Sequence, residues 1–179
     1  MVGVLALQGG FARHAEILRS LGAEVREVRI PADLGGLEAL VMPGGESTTM
    51  TLGVEREGLG DPLREFAASG RPVLGTCAGM IMLDRAHLGV LDIVCERNAF
   101  GRQTHSFETD LEIDGETVHA IFIRAPWVSE VGDGVEVLAE VDGHPVAVRR
   151  DNITAVAFHP ELAGEPALHQ ALLDAVAAA

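Results

Sequence analysis

The segment Gly75-Thr76-Cys77-Ala78-Gly79 constrains the fold more than any other. It follows the apolar run Pro72-Val73-Leu74 and precedes Met80-Ile81-Met82-Leu83. A short buried strand that turns sharply into a helix has this form, with glycines where the turn is too tight for side chains. Such a strand–turn–helix unit belongs to a parallel sheet with helices packed on it. The cysteine then sits at the turn. The free N–H groups and positive end of the following helix point at its sulfur, which favours thiolate. Cys95, in Leu91-Asp92-Ile93-Val94-Cys95, has no glycine turn and reads as core packing.

The rest of the chain fits that frame. Residues 2–7 form a continuous apolar run, as a strand buried on both faces does. Residues 11–21 carry Phe11, Ala15, Leu18 and Leu21 at helical spacing, closed by Gly22. Residues 24–30 alternate as a strand. Residues 37–42 read as another buried strand that ends at Pro43-Gly44-Gly45 and gives way to a loop. Residues 63–69 predict a helix. The first half is therefore β-α-β-β-loop-α-β-α, an α/β fold with an open, mostly parallel sheet flanked by helices. Residues 107–113, 117–123, 135–141 and 145–149 are short alternating runs punctuated by glycines, and predict antiparallel strands added to that core. Residues 153–158 return to a buried central strand, and residues 166–178 predict a closing amphipathic helix. No repeat or linker interrupts the pattern, so residues 1–179 are expected to form one domain.

His159-Pro160-Glu161 follows the last buried strand directly. Pro160 is expected to keep this segment extended, so that His159 and Glu161 face the same side. A cysteine nucleophile, a histidine base and a carboxylate on separate strand ends are the parts of an acyl-transfer triad, here Cys77, His159 and Glu161. The turn Pro43-Gly44-Gly45-Glu46-Ser47 also lies at a strand end. It can offer the Gly45 N–H to an oxyanion, with the Ala78 N–H as second donor. Ligands of such sheets bind beyond the carboxyl ends of the strands, so the three segments can meet at one edge. Arg97, Arg102 and Arg124 are basic residues in an acidic chain, of the kind a substrate carboxylate grips in two hydrogen bonds.

Charge excludes some partners. The net charge of −14, from 27 acidic and 13 basic residues, argues against nucleic acid and anionic membrane. No run approaches the length of a membrane-spanning helix. The two cysteines form no CxxC pair, which argues against structural zinc, and both read as reduced thiols of a cytoplasmic protein. No residue pattern calls for a metal or an organic cofactor.

Several segments carry a resemblance together. They are Gly3-Val4-Leu5-Ala6-Leu7-Gln8-Gly9, Pro43-Gly44-Gly45-Glu46-Ser47-Thr48-Thr49, Gly75-Thr76-Cys77-Ala78-Gly79-Met80-Ile81, Glu96-Arg97-Asn98-Ala99-Phe100-Gly101-Arg102-Gln103, Phe122-Ile123-Arg124-Ala125-Pro126 and Phe158-His159-Pro160-Glu161-Leu162. They resemble the class I, triad-type glutamine amidotransferases, which have a flavodoxin-like sheet. Within that class they look like the glutaminase subunits of pyridoxal 5′-phosphate synthase, the enzyme of vitamin B6 biosynthesis. The resemblance implies hydrolysis of L-glutamine to glutamate and ammonia, with glutamine held by Gly45, Glu46, Ser47, Arg97, Ile123 and Arg124. It implies a partner, a separate (β/α)8-barrel synthase subunit in a large hetero-oligomer, which takes up the ammonia. Pyridoxal phosphate is then a product of the complex rather than a ligand of this chain.

The chain departs from the family pattern at two places. Asp84-Arg85-Ala86-His87 makes a shorter connection, and Gly10 stands where a bulkier residue is common. Neither is expected to touch the triad. Two other classes compete with this reading. One is a glutaminase serving another acceptor, or a free-standing γ-glutamyl hydrolase that needs no partner. The other is a flavodoxin-like binding or redox module, which has no use for His-Pro-Glu after a late strand.

Overall fold

The computed structural model describes residues 1–100 and 106–178. The chain begins with β1 (Val2–Leu5), α1 (Phe11–Ser20) and β2 (Val25–Val28), then a 3-10 turn at Pro31–Leu34. β3 (Ala39–Met42), α2 (Ser47–Arg56), α3 (Gly60–Ala68), β4 (Val73–Thr76) and α4 (Ala78–Leu83) follow. The middle of the chain holds β5 (Ile93–Glu96), β6 (Phe107–Ile113), β7 (Glu116–Phe122), β8 (Trp127–Val131), β9 (Glu136–Val141) and β10 (His144–Arg150). β11 (Ile153–Val156), α5 (Pro160–Ala163) and α6 (Ala167–Ala177) close it.

Seven strands form the main sheet in the order β2-β1-β3-β4-β11-β10-β9. The first five run parallel, β10 runs against them, and β9 pairs antiparallel with β10 at the edge. β1, β3 and β4 are buried at every position, which is why their apolar runs do not alternate. The chain winds one way from β1 to β2 and the other way from β3 onward, so a crevice opens at the carboxyl ends of β1 and β3. The antiparallel pairs β6–β7 and β5–β8 form two small separate sheets.

Three expectations need correction. The loop expected after Gly45 is largely helix α2. Its three threonines and Gly53 are weak helix formers, which hides it in the sequence. Its start is fixed from outside the run, by the Glu46 carboxylate accepting from Thr48 N and Thr49 N. Pro160 does not keep its segment extended but opens α5, where its missing N–H costs nothing. The pair β5–β8 was not anticipated, because neither strand alternates cleanly between buried and exposed positions.

The two glycines of the Cys77 segment serve close approach. Neighbouring strand residues point to opposite faces. At Gly75 a Cβ would meet Leu83 of α4, while the next residue, Thr76, reaches His14 of α1, so α4 and α1 cover opposite faces of β4. At Gly79 a Cβ would sit 1.9 Å from the Met42 carbonyl oxygen. Only glycine lets the first turn of α4 rest directly on the end of β3.

Aromatic residues are scarce, six Phe and one Trp, and they are concentrated. Phe107 stacks on Phe122 at 4.5 Å, and Phe122 lies 5.6 Å from Phe158 at the end of β11. Phe100 packs edge-on against Phe107, Phe122 and Trp127. Trp127 in turn stacks on His144 at 3.5 Å and donates its Nε1–H to Glu96. Such pairs add about 1 kcal/mol each beyond their buried area. The cluster fastens the β6–β7 hairpin to the sheet beside His159, whose N–H donates to the Ile121 carbonyl at 2.9 Å.

Gly79→Ala separates helix propensity from packing. Propensity alone favours alanine by about 1 kcal/mol. The clash with the Met42 carbonyl is expected to outweigh this, for a net loss of about 2–3 kcal/mol. Gly60→Ala, whose Cβ meets only the Arg64 guanidinium at 3.4 Å, is expected to be neutral or mildly stabilising. Thermal melting of the two variants checks the contrast.

Candidate active site

Cys77 sits between β4 and α4 with φ 48° and ψ −107°, a conformation that side-chain-bearing residues rarely adopt. Such a backbone costs on the order of 1–3 kcal/mol and persists only where its surroundings enforce it. Here the Cys77 N–H donates to the Val156 carbonyl at 2.8 Å, and the Cys77 carbonyl accepts from Met80 and Ile81. The residue is 6% exposed and borders a cavity of about 640 Å³. Cys95 contrasts with it. Burial, with Asp84 nearby, pushes its thiol well above the usual range, and it packs against the core as expected.

His159 and Glu161 line the same cavity. His159 Nδ1 lies 2.8 Å from Glu161 Oε1. Burial works against a charge on His159, but the neighbouring Cys77 and the hydrogen bond to Glu161 win and raise its pKa to about 10. Burial likewise opposes ionisation of Glu161, yet the His159 hydrogen bond holds its carboxyl below the ordinary value. The imidazole is therefore positively charged at neutral pH, between a sulfur and a carboxylate.

The turn after β3 forms the opposite wall. A Cβ on Gly44 would fall 2.5 Å from the His159 ring and 3.2 Å from Cys77 Cβ, so the backbone itself packs against both. Gly44 N–H donates to Thr76 Oγ1 at 3.0 Å, and the Gly44 carbonyl accepts from Gly10 N–H at 2.9 Å. In a trans peptide the C=O and the next N–H point opposite ways, so the Gly45 N–H is turned away from Gly10. The Gln8 side chain holds the next residue, accepting from Glu46 N–H at 2.7 Å.

Every sequence-derived site residue among those described lines this one cavity: Cys77, His159, Glu161, Gly45, Ala78, Glu46, Ser47, Arg97, Ile123 and Arg124. Arg102 lies outside the described residues. Two of the residues carry further information. The Glu46 carboxylate already accepts from Thr48 N, Thr49 N and Thr49 Oγ1, and the Thr49 and Thr48 N–H groups draw its pKa down to about 2. Arg97 also reaches it at 3.1 Å, so little of that carboxylate is left for a ligand. Arg124 holds φ 46°, a second strained backbone at the cavity wall.

Gly10 departs from the reading made of it. A Cβ there would come 2.9 Å from Glu161 Oε1, so this position does touch the His159–Glu161 pair. The short connection after α4 is closed by the buried Asp84 carboxylate, which accepts from Ala86 N, His87 N and Cys95 N. Sequence reasoning missed Gln8, Thr76, His14 and His169. His14 had one signal. It lies on the apolar face of α1 beside Ala15 and Leu18, and a histidine on such a face needs a buried polar partner.

Comparisons with known proteins agree with this architecture. The family model described as the SNO glutamine amidotransferase family matches residues 4–177. The pyridoxal 5′-phosphate synthase subunit PdxT of Mycobacteroides abscessus is 51% identical, covering 99% of this chain and 98% of that one. The protein of the same name from Corynebacterium diphtheriae is 50% identical, covering 98% of this chain and all of its own. A crystal structure titled glutamine amidotransferase superposes with a TM-score of 0.92 at 47% identity, covering 98% of each chain. The elbow at Cys77, the His159–Glu161 pair and the glycine turn stand on a fold that superposes along nearly the whole chain on that structure, and the chain belongs to the SNO glutamine amidotransferase family.

Proposed function

We propose that the chain is the glutaminase subunit of a pyridoxal 5′-phosphate synthase. It hydrolyses L-glutamine to glutamate and ammonia and passes the ammonia to a separate (β/α)8-barrel synthase subunit in a hetero-oligomer. The observation that carries the chemistry is the strained Cys77 beside a His159 that is hydrogen-bonded to Glu161 at 2.8 Å. The relatives at about half identity, named as subunits of that synthase, support the acceptor.

The reaction follows from the geometry. The Cys77 sulfur, as thiolate, attacks the side-chain amide carbon of glutamine, and the carbonyl becomes an oxyanion. The Gly45 and Ala78 N–H groups receive that oxyanion; donors of this kind contribute about 3 kcal/mol each. His159 gives its proton to the amide nitrogen, the C–N bond breaks, and ammonia leaves a glutamyl thioester. His159 then takes a proton from water as the water attacks the thioester carbon. The C–S bond breaks and glutamate departs. Glu161 orients the imidazole and balances its charge throughout. Arg97 and Arg124 supply cations for the substrate α-carboxylate at the rim, with Glu46, Ser47 and Ile123 shaping the wall. One contiguous core supports the chain acting as a single unit. No helix among the described residues is long and apolar enough to cross a membrane.

Glutamate release is expected to rise sharply when the synthase subunit is added to the purified chain. Strong turnover that the synthase does not change would instead favour a free-standing hydrolase. Cys77→Ala is expected to lower turnover by at least about a thousandfold, with circular dichroism and docking unchanged. Retained hydrolysis in that variant would remove Cys77 from the mechanism.

A second expectation concerns pH. His159 has its pKa raised above the ordinary 6.5, so its contribution to stability is fully present below that value and is lost as pH rises toward 10. Melting temperature is expected to fall more steeply between about pH 6.5 and 10 in the wild type than in His159→Gln. Parallel curves would show that His159 is not held charged by the fold.

A further inference from the structure

Behind the proposed triad lies a polar chain that the reaction above does not use. His14, on α1, and His169, on α6, are both fully buried. His14 Nδ1 lies 2.8 Å from His169 Nε2, with the rings 5.0 Å apart and tilted by 43°. On its other side His14 Nε2 lies 3.3 Å from Glu161 Oε2 and 3.2 Å from Thr76 Oγ1. Glu161 Oε1 is occupied by His159, whereas Oε2, with His14 Nε2 at 3.3 Å, completes no hydrogen bond among the described residues. Burying two imidazoles is unfavourable unless their nitrogens find partners, so the pair asks for a reason.

We propose that His14 and His169 are positioning residues of the glutaminase reaction, a buried imidazole relay that turns the His14 Nε2–H toward Glu161 Oε2 and so steadies the carboxylate that orients His159. The proposal rests on the glutaminase reading of the site.

Proton placement follows from charge. Burial pushes the His14 pKa down to about 3, against the pull of Glu161, and with His169 and His159 nearby. Burial also pushes His169 down to about 4, opposed by Glu161 and by the Glu165 backbone. Both rings are neutral at neutral pH, and each has one donor and one acceptor nitrogen. The relay therefore runs in one of two directions. In the first, His169 Nε2–H donates to His14 Nδ1, and His14 Nε2–H is directed at Glu161 Oε2. In the second, His169 Nδ1–H turns to the Glu165 backbone, and His14 Nε2 accepts from Thr76.

The second direction sets a lone pair against a carboxylate oxygen at 3.3 Å and leaves that oxygen without a donor. The first turns a donor toward that oxygen across the 3.3 Å and leaves His169 Nδ1 without a partner. An unpaired buried carboxylate oxygen costs far more than an unpaired neutral ring nitrogen, so the first direction holds. Thr76 Oγ1, within reach of the same His14 nitrogen, also accepts from Gly44 N–H. His14 thus sits beneath both the orienting carboxylate and the glycine turn, and holds the two in register.

The test combines spectra with kinetics. In nitrogen-15 spectra of the histidine-labelled wild-type chain, His14 is expected to be neutral and protonated at Nε2 at neutral pH. Protonation at Nδ1 would overturn the relay. Assayed with the synthase subunit, His14→Leu is expected to lower kcat on the order of tenfold to a hundredfold with KM little changed, the size of a misplaced catalytic group. Its acid limb in the pH profile is expected to move upward, because Glu161 loses a donor to its charged form. His14→Gln restores an N–H near the position of Nε2 and is expected to recover most of the loss. His169→Leu is expected to show a smaller change of the same kind.

A lower melting temperature with kcat and the acid limb unchanged would reduce both histidines to packing and overturn the proposal. Should His14→Leu fail to fold, the wild-type tautomer and the Gln variant decide. A wild type that releases no glutamate beside the synthase would sink the glutaminase reading itself. The His14 tautomer would still be read without turnover, so the two failures are told apart.

Discussion

The site depends on one constraint, the contact between the first turn of α4 and the carboxyl end of β3. Gly79 rests against the Met42 carbonyl, and no other residue fits there. With α4 held that close, the chain leaving β4 has no room to turn in a relaxed conformation. Cys77 takes the strain, at φ 48°, and its N–H extends the β4–β11 ladder by a further hydrogen bond to Val156. The strain projects the side chain over the sheet edge. β11 delivers His159 to the same edge, and the turn after β3 brings Gly44 against both. The cavity is a consequence of three adjacent parallel strands ending together.

Electrostatics complete what packing begins. A charged imidazole is expensive in an environment as buried as that of His159, and it persists because Cys77 and Glu161 lie on either side of it. Glu161, itself 3% exposed, borders the amino end of α1 at Gly10, a favourable place for an anion. The chain's large negative charge does not act here. It is spread over the surface, where pairs such as Arg97–Glu46 are half exposed and contribute little to stability.

Much of this was legible in the sequence, and the limits have physical causes. The parallel strands showed as unbroken apolar runs because they are buried on both faces. The strand-end positions of Cys77, His159 and the glycine turn followed from those runs. Helix α2 was hidden because its start is fixed by a side chain one residue before it, and its interior is poor in helix formers. Pro160 misled because the same ring that ends a strand also begins a helix, and only the sheet's end decides between them. His14 and His169 lie 155 positions apart, and no local pattern announces that they meet. Gly10 looked remote from the chemistry for the same reason.

The aromatic cluster has a further consequence. The chain has one tryptophan and no tyrosine, so its near-ultraviolet emission comes almost entirely from Trp127. That indole is stacked on His144 and in edge contact with Phe100. Its N–H is bonded to Glu96, the residue beside Arg97 at the cavity rim. The molecule thus contains a single optical reporter fastened to the arginine-bearing wall of its cavity. Movement of that wall can be followed by fluorescence without any label.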